Sequence, residues 1–380
     1  MKIEQKKWTK ETGWMDITQN AAAAGAQLVF VFGERRVLSD PAYFSEIKGF
    51  YPEARIVGCS TAGEILGAQV FDDSIVTTAV FFEHTRIKTA STQISLAEET
   101  FEAGKKLAES LGQEGLVHVF VLSDGVNING SSLVKGLVES LRGDVSVTGG
   151  LAGDQSRFER TIVFPDGSTE SNNIVAVGFY GDKLKVNYGS LGGWDSFGPD
   201  RRVTRSSGNM LYELDGKSAL SLYKTYLGEQ AKELPSAGLM FPLSLRLKGK
   251  ETGLVRTILG INEKEDCMIF AGDIPEGAVA RFMKSNVERL IDGASGAAKA
   301  ARPGKTPEPD LAILISCVGR KLVLKQRVEE EVETVRDILG NGSVITGFYS
   351  YGEICPVISS EKKCELHNQT MTITTFFEEK

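Results

Sequence analysis

Three stretches of this chain repeat one order of local features, and that recurrence restricts the fold more than any other property. Residues 28–82, 116–180 and 311–377 each open on a short apolar run: LVFVF, LVHVFVL and LAILIS. Helix-like spacing follows. A second β-run then breaks into a glycine turn carrying an acid, IVGCSTAGE, VTGGLAGD and VITGFYSYGE, and a closing β-run ends in two aromatics, AVFF, VGFY and TTFF. A unit used three times implies a repeated architecture with its turns gathered on one side. Such an arrangement suits a shared pocket.

Two apolar β-runs joined through a helix are expected to lie parallel in one sheet, with the closing run antiparallel beside them. Asp40-Pro41 reads as a cap followed by proline at the first helical position. Further helices are expected over 98–111, 131–142 and 328–339, with Gly112 and Gly340 as stops for the first and last. Residues 181–301 break the pattern. They read as strands near 184–191, 201–205 and 210–214, a helix at 217–227, strand-like runs at 253–261 and 266–271 with another near 278–283, and an alanine-rich helix through 300. A turn is expected at 165–168 and a linker at 302–309 (RPGKTPEP). The expected class is α/β (α+β): mixed β-sheets built from three β-α-β-β pseudo-repeats with helices packed on the sheets. Two modules are expected. Residues 25–200 carry the first two units; 201–377 carry an insert at 201–301 and the third unit.

Composition narrows the class. A net charge of −7 without a basic cluster argues against nucleic-acid binding. The polar start MKIEQKKWTKETGW lacks the apolar stretch of a signal peptide, and no run of 18 apolar residues suits a membrane span. Five cysteines, at 59, 267, 317, 355 and 364, form no CxxC pair and fit reduced thiols in a cytoplasm.

The turns at 58–64 and 347–353 both read G-x-x-x-x-G-E; that at 149–154 is one residue shorter. Glycines at 58, 63, 149, 150, 347 and 352 permit positive φ and bring amide N–H groups close to a guest. Glu64, Asp154 and Glu353 can bind an amine. Flanked by Cys59, Ser60, Thr61 and Tyr349, these parts suit a zwitterion such as an amino acid. The competing reading is that the glycines permit tight strand exits and the acids cap local amides. No Lys-Ser/Thr follows either G-x-x-x-x-G turn, which excludes a nucleotide P-loop.

Cys59 as a nucleophile needs a base, and only His84, His118 and His367 exist. Phe348 stands at its place in the third unit, so a small buried thiol is the favoured reading. An enzyme using Cys59, or Glu64 with Glu353, ranks last. His118, inside LVHVFVL, reads as packed, and the three histidines lack the spacing of a zinc site. His367 enters the closing strand of the last unit, opposite its glycine turn. One axial histidine in an apolar slot can hold haem, which makes His367, beside Asn368, the candidate for that cofactor. Arg256, on the apolar strand LVRTI, reads equally as a contact to an anionic ligand or as an edge-strand surface residue. Residues 240–243 and 271–277 read as rim loops.

In order along the chain, GCSTAGEI, GGLAGD, the FPL tract, GDIPEG, GFYSYGEI and LHNQT resemble FIST-domain proteins, with paired N-terminal and C-terminal FIST modules over residues 25–377. The resemblance implies a bacterial sensory protein of signal transduction that binds a small ligand, amino acids among the candidates. Its alternative is a haem-based nitric-oxide sensor that regulates a partner histidine kinase. It gives 58–64, 149–154, 347–353 and His367-Asn368 a ligand-facing role. No kinase, cyclase or methyl-accepting output is present, so a non-catalytic protein signalling through a partner is expected.

Overall fold

In the computed structural model the described residues are 1–18, 25–166, 172–234, 236–246, 254–304, 306–357 and 364–380. Gly167 and Ser168 of the expected turn, Gly253 of an expected strand and Lys305 of the expected linker lie outside them.

The opening apolar runs become the strands Leu28–Gly33, Leu116–Ser123 and Leu311–Cys317. Each pairs in parallel with the second run of its unit, Arg55–Ser60, Ser146–Leu151 and Val344–Ser350, across a helical crossover. Each pairs on its other side, antiparallel, with the closing strand, Ile75–Phe81, Asn173–Tyr180 and Met371–Glu378. Alternation along the strands feeds two cores. Phe30, Phe32, Phe120, Leu122, Ile313, Ile315 and Phe348 meet in one apolar cluster shared by all three sheets. The intervening residues face helices: Val29 and Val31 lie in the cluster that packs Ile47 of Pro41–Phe50, while Val119, Val121, Ala312 and Leu314 lie in the cluster of Thr100–Leu111, Gly130–Ser140, Val287–Ala301 and Val328–Leu339. Strands buried on both faces explain why these runs are continuously apolar.

The repeat is longer than its sequence signature. Each closing strand carries a further antiparallel partner that precedes the unit in sequence: Lys2–Thr9, Arg86–Gln93 and Leu184–Leu191. The strand at 184–191 therefore belongs to the third sheet, and the alanine-rich helix Val287–Ala301 packs over that sheet rather than inside an insert. What interrupts the third unit is the stretch between them. It forms an eight-stranded sheet running from Asp195–Ser207 to Val279–Lys284, with Ala219–Leu227 packed on it and a core of Leu211, Tyr223, Phe270 and Phe282. Lys2–Thr9 and Arg86–Gln93 eluded the sequence because half-exposed runs such as RIKTASTQ carry little apolar signal.

Each unit also gives its hairpin to a neighbouring sheet. Glu64–Leu66 of the first unit pairs with Val344–Ser350 of the third. Gly352–Pro356 of the third pairs with Ser146–Leu151 of the second, and Val163–Pro165 of the second pairs with Arg55–Ser60 of the first. The exchange is cyclic, so the three six-stranded sheets share one five-strand order, and differ in the sixth strand: the first sheet adds Gly13–Asp16 beside Lys2–Thr9, the other two a second exchanged strand.

Candidate functional site

Because hairpins leave each unit from the end of the second parallel strand, the three glycine turns meet. Ala62 N donates to Tyr349 O (2.8 Å), Tyr349 N to Gly63 O (2.8 Å), Gly153 N to Ser60 O (2.9 Å), and Tyr351 N to Leu151 O (3.3 Å). These amides serve neighbouring turns, so the expected anion nest is closed. The first glycine of each turn has a backbone reason. Gly58, Gly149 and Gly347 sit in register opposite Val31, Val121 and Leu314, and a methyl carbon at any of them would collide with the opposing carbonyl oxygen. The second glycines and Gly150 meet other units: a methyl carbon at Gly352 would lie 2.9 Å from a Leu151 methyl, one at Gly153 2.8 Å from Ala62 N, one at Gly150 2.8 Å from an Ile315 methyl, and one at Gly63 against Lys321 Nζ.

The turn acids are fully buried with internal partners rather than aimed at a guest amine. Glu64 accepts from Thr61 Oγ1 and from Ser74 Oγ (2.6 Å). Glu353 accepts from Ser350 Oγ (2.7 Å), Thr370 N (3.1 Å) and Thr370 Oγ1 (2.9 Å). Burial pushes Glu64 up to about 8 and Glu353 up to about 7, the donors opposing it only in part. Asp154 is paired with Arg157 (Nε 2.7 Å) and Arg35 (Nε 3.1 Å).

The remaining expected site residues are likewise engaged. Ser60 Oγ donates to Gly153 O (2.8 Å). Tyr349 donates to Glu331 (2.6 Å), which is held by the buried Arg320. Burial raises the Cys59 thiol well above its ordinary range, against thiolate chemistry. Arg256, on the insert's edge strand Leu254–Arg256, is buried and donates to Asp273 O (3.1 Å) and to Leu366 O (2.9 Å) of the third unit's hairpin, a crosslink between insert and body. His118 lies between Ser146 Oγ (2.7 Å) and Thr148 Oγ1 (3.0 Å), and burial lowers it to about 3. His367 does pair with Glu353 across the hairpin, but its Nε2 bonds Cys355 O (3.0 Å), burial lowers it to about 4, and it lines none of the described cavities. That geometry does not fit a haem axial ligand. Asn368 differs: it is buried with both ends of its amide unpartnered among the described residues.

The open space lies beside the turns. A cleft of about 550 Å³ separates the threefold body from the insert. Leu151 and Tyr351, from the second and third turns, form its floor with Phe158, whose ring stacks on Tyr351 at 4.2 Å. One wall is the loop 125–130 after the central strand Leu116–Ser123, and the other includes Asn209, Phe270, Ala271 and Gly272 of the insert. The fully buried Asp124 shapes the loop, accepting from Val126 N (2.9 Å), Asn127 N (2.8 Å) and Thr161 Oγ1 (2.7 Å). Asn127 Nδ2 donates to Asn172 Oδ1 (2.9 Å) and Asn209 Nδ2 to Phe270 O (2.8 Å); the amide oxygens of Asn127 and Asn209 have no partner among the described residues. Asn129 caps Gly130–Ser140 and reaches across to Asp273 (3.2 Å). The position agrees with the rule that ligands enter open α/β sheets at the carboxyl ends of parallel strands. Of the rim loops expected from sequence, 271–277 contributes to the wall. Asp124-Gly125 at the end of an apolar run was a usable signal; nothing local marked Phe158 or Asn209.

An uncharacterized protein of Methanocaldococcus jannaschii is 26% identical over 344 residues, covering 84% of this chain; the chain spans 64% of that relative's length. The crystal structure of a cyanuric acid hydrolase from A. caulinodans superposes over 94% of this chain and 92% of its own, at 8% identity and a TM-score of 0.37. The model of the FIST N domain matches residues 27–217 and that of the FIST C domain matches 219–356. Domains of this kind are linked to sensing in signal transduction. With both in tandem, the chain belongs to the FIST-domain family.

Proposed function

We propose that this protein is a non-catalytic sensor that takes a small amphiphilic ligand, an amino acid or a molecule of that size, into the cleft between body and insert. The cleft carries the reading. Its volume lies within the roughly 300–1,000 Å³ range of small-molecule sites, and it combines an apolar, aromatic floor with a few convergent polar groups. A side chain of the guest packs on Leu151, Phe158 and Tyr351, while its polar end meets the amide oxygens of Asn127 and Asn209. Because the walls come from two parts of the chain, occupancy changes how the insert rests on the body. A partner protein such as a histidine kinase reads that change. The non-catalytic reading is supported by Cys59 and Glu64, which are buried and whose protons burial holds more tightly than usual.

Calorimetry on refolded protein, stripped of carried-over ligand, tests this against the twenty amino acids. Binding by at least one, weakened about tenfold or more by Tyr351→Ala and by Asn127→Ala, is the expected result. No heat from any of the twenty removes that ligand class. Binding that survives both substitutions removes the cleft.

A further inference from the structure

A second cavity, of about 400 Å³, lies between the first and third sheets near the start of Val344–Ser350, whereas the ligand cleft lies beyond the strand ends at Leu151. Its walls come from the first strand (Gln5, Lys7), the exchanged hairpin (Leu66, Phe71) and the end of Val328–Leu339 with the following turn (Arg336, Asn341). Among its described lining residues there is no aspartate or glutamate. That is unusual in a chain with 50 acidic residues against 43 lysines and arginines.

Two cations lie in this wall without a counter-charge. Arg336 Nε is buried and has no hydrogen-bond partner, and no ion pair joins Arg336 to any described carboxylate. Its pKa is lowered by burial alone, with no acid opposing the shift. Lys7 Nζ lies 3.8 Å from the centroid of the Phe71 ring, a cation–π contact, and makes no ion pair among the described residues. Gly67, at φ +62 in the hairpin turn, leaves room for the guanidinium; a methyl carbon there would lie 3.3 Å from Arg336 Nη2. Desolvated cations are normally paired, because an unpaired one loses hydration with no return. A guanidinium with an unpartnered donor, lining one cavity with an ammonium, matches an oxyanion in charge.

We propose that this cavity binds a small oxyanion, the phosphate or carboxylate group of a metabolite, between Arg336 and Lys7, with the apolar remainder against Leu66 and Phe71. The site is independent of the sensor cleft. An anion held here ties the first strand of the chain to the hairpin exchanged into the third sheet, and so strengthens the seam between two sheets.

Titration calorimetry of the full chain at low salt, with pyrophosphate and with succinate as separate probes, distinguishes the two head groups. At least one is expected to bind in the micromolar to low-millimolar range. Arg336→Gln and Lys7→Gln should each weaken that probe about tenfold or more, while Arg289→Gln, which removes an exposed cation on another helix, should leave it unchanged. If Arg336→Gln does not fold, Lys7→Gln carries the test alone. Failure of both probes to bind at low-millimolar concentration overturns the proposal, and so does binding that Lys7→Gln leaves intact. Tyr351→Ala should not alter anion binding, so the fate of this site and that of the cleft are read separately.

Discussion

Replacing Gly149 by alanine separates two explanations of the repeated glycine turns. If the glycine lets a guest approach the backbone, alanine should reduce affinity and leave the fold intact. If it lets two parallel strands approach, alanine should damage the fold. The geometry favours the second. A methyl carbon at Gly149 would lie 2.8 Å from both the amide nitrogen and the carbonyl carbon of Val121, and nearer still to its oxygen, at φ +151. Ordinary contact needs about 3.4 Å or more, so strands paired from Ser146 to Leu151 must part by over about half an ångström in the middle of the sheet. Overpacking of this kind costs about 1–3 kcal/mol, and an unfavourable backbone conformation about 1–3 more. At about 2 °C per kcal/mol for a long chain, the melting temperature should fall by about 4–12 °C. Gly347→Ala should behave like Gly149→Ala, with the Leu314 oxygen equally close and φ +156; Gly58→Ala should cost less, since the Val31 oxygen lies farther off and no left-handed φ adds strain. Gly143→Ala, where a methyl carbon meets nothing within 4 Å, is the control and should be neutral. Differential scanning fluorimetry measures all four. A Gly149→Ala protein that melts within about 2 °C of wild type would refute the argument.

Two further outcomes test the buried polar groups. Glu64 and Glu353 bind protons more tightly folded than unfolded, so their contribution is fully present below the ordinary glutamate range and fades as pH rises toward about 8 and about 7. Urea midpoints should therefore fall between about pH 5 and 8, less steeply in Glu64→Gln, and equal slopes would rule this out. Arg320 donates to Glu331 through Nε (3.1 Å) and Nη2 (2.7 Å) with both side chains fully buried. Arg320→Met should cost about 3–5 kcal/mol in urea unfolding and the Arg320→Met, Glu331→Leu double variant distinctly less than the two single costs added together; simple additivity would deny the coupling.

The parallel pairs were legible in the sequence because strands buried on both faces must be apolar throughout, as LVFVF and LAILIS are. The helix at Pro41–Phe50 was legible because Asp40 accepts from Ala42 N just where proline begins the turn. Position along the chain carried less. Leu184–Leu191 was readable as a strand but not as a member of the third sheet, since its partner lies about 190 residues away. The turns were found correctly and their chemistry was left between two readings: a glycine beside an acid has the same spelling whether it admits a guest or a neighbouring carbonyl. The cleft was illegible because Phe158, Tyr351 and Asn209 become neighbours only after the hairpins have crossed and the insert has folded.

That crossing sets how the molecule can come apart. No third of the body owns a finished sheet, since Glu64–Leu66, Val163–Pro165 and Gly352–Pro356 each complete a different one. Losing any single third strips one survivor of its outermost rung and leaves another holding a ribbon with nothing to clasp. The ring therefore closes only once Gly352–Pro356 has reached the second sheet and Val344–Ser350 has received Glu64–Leu66. The insert, by contrast, hangs from two junctions inside one third, where it can vary without opening the ring.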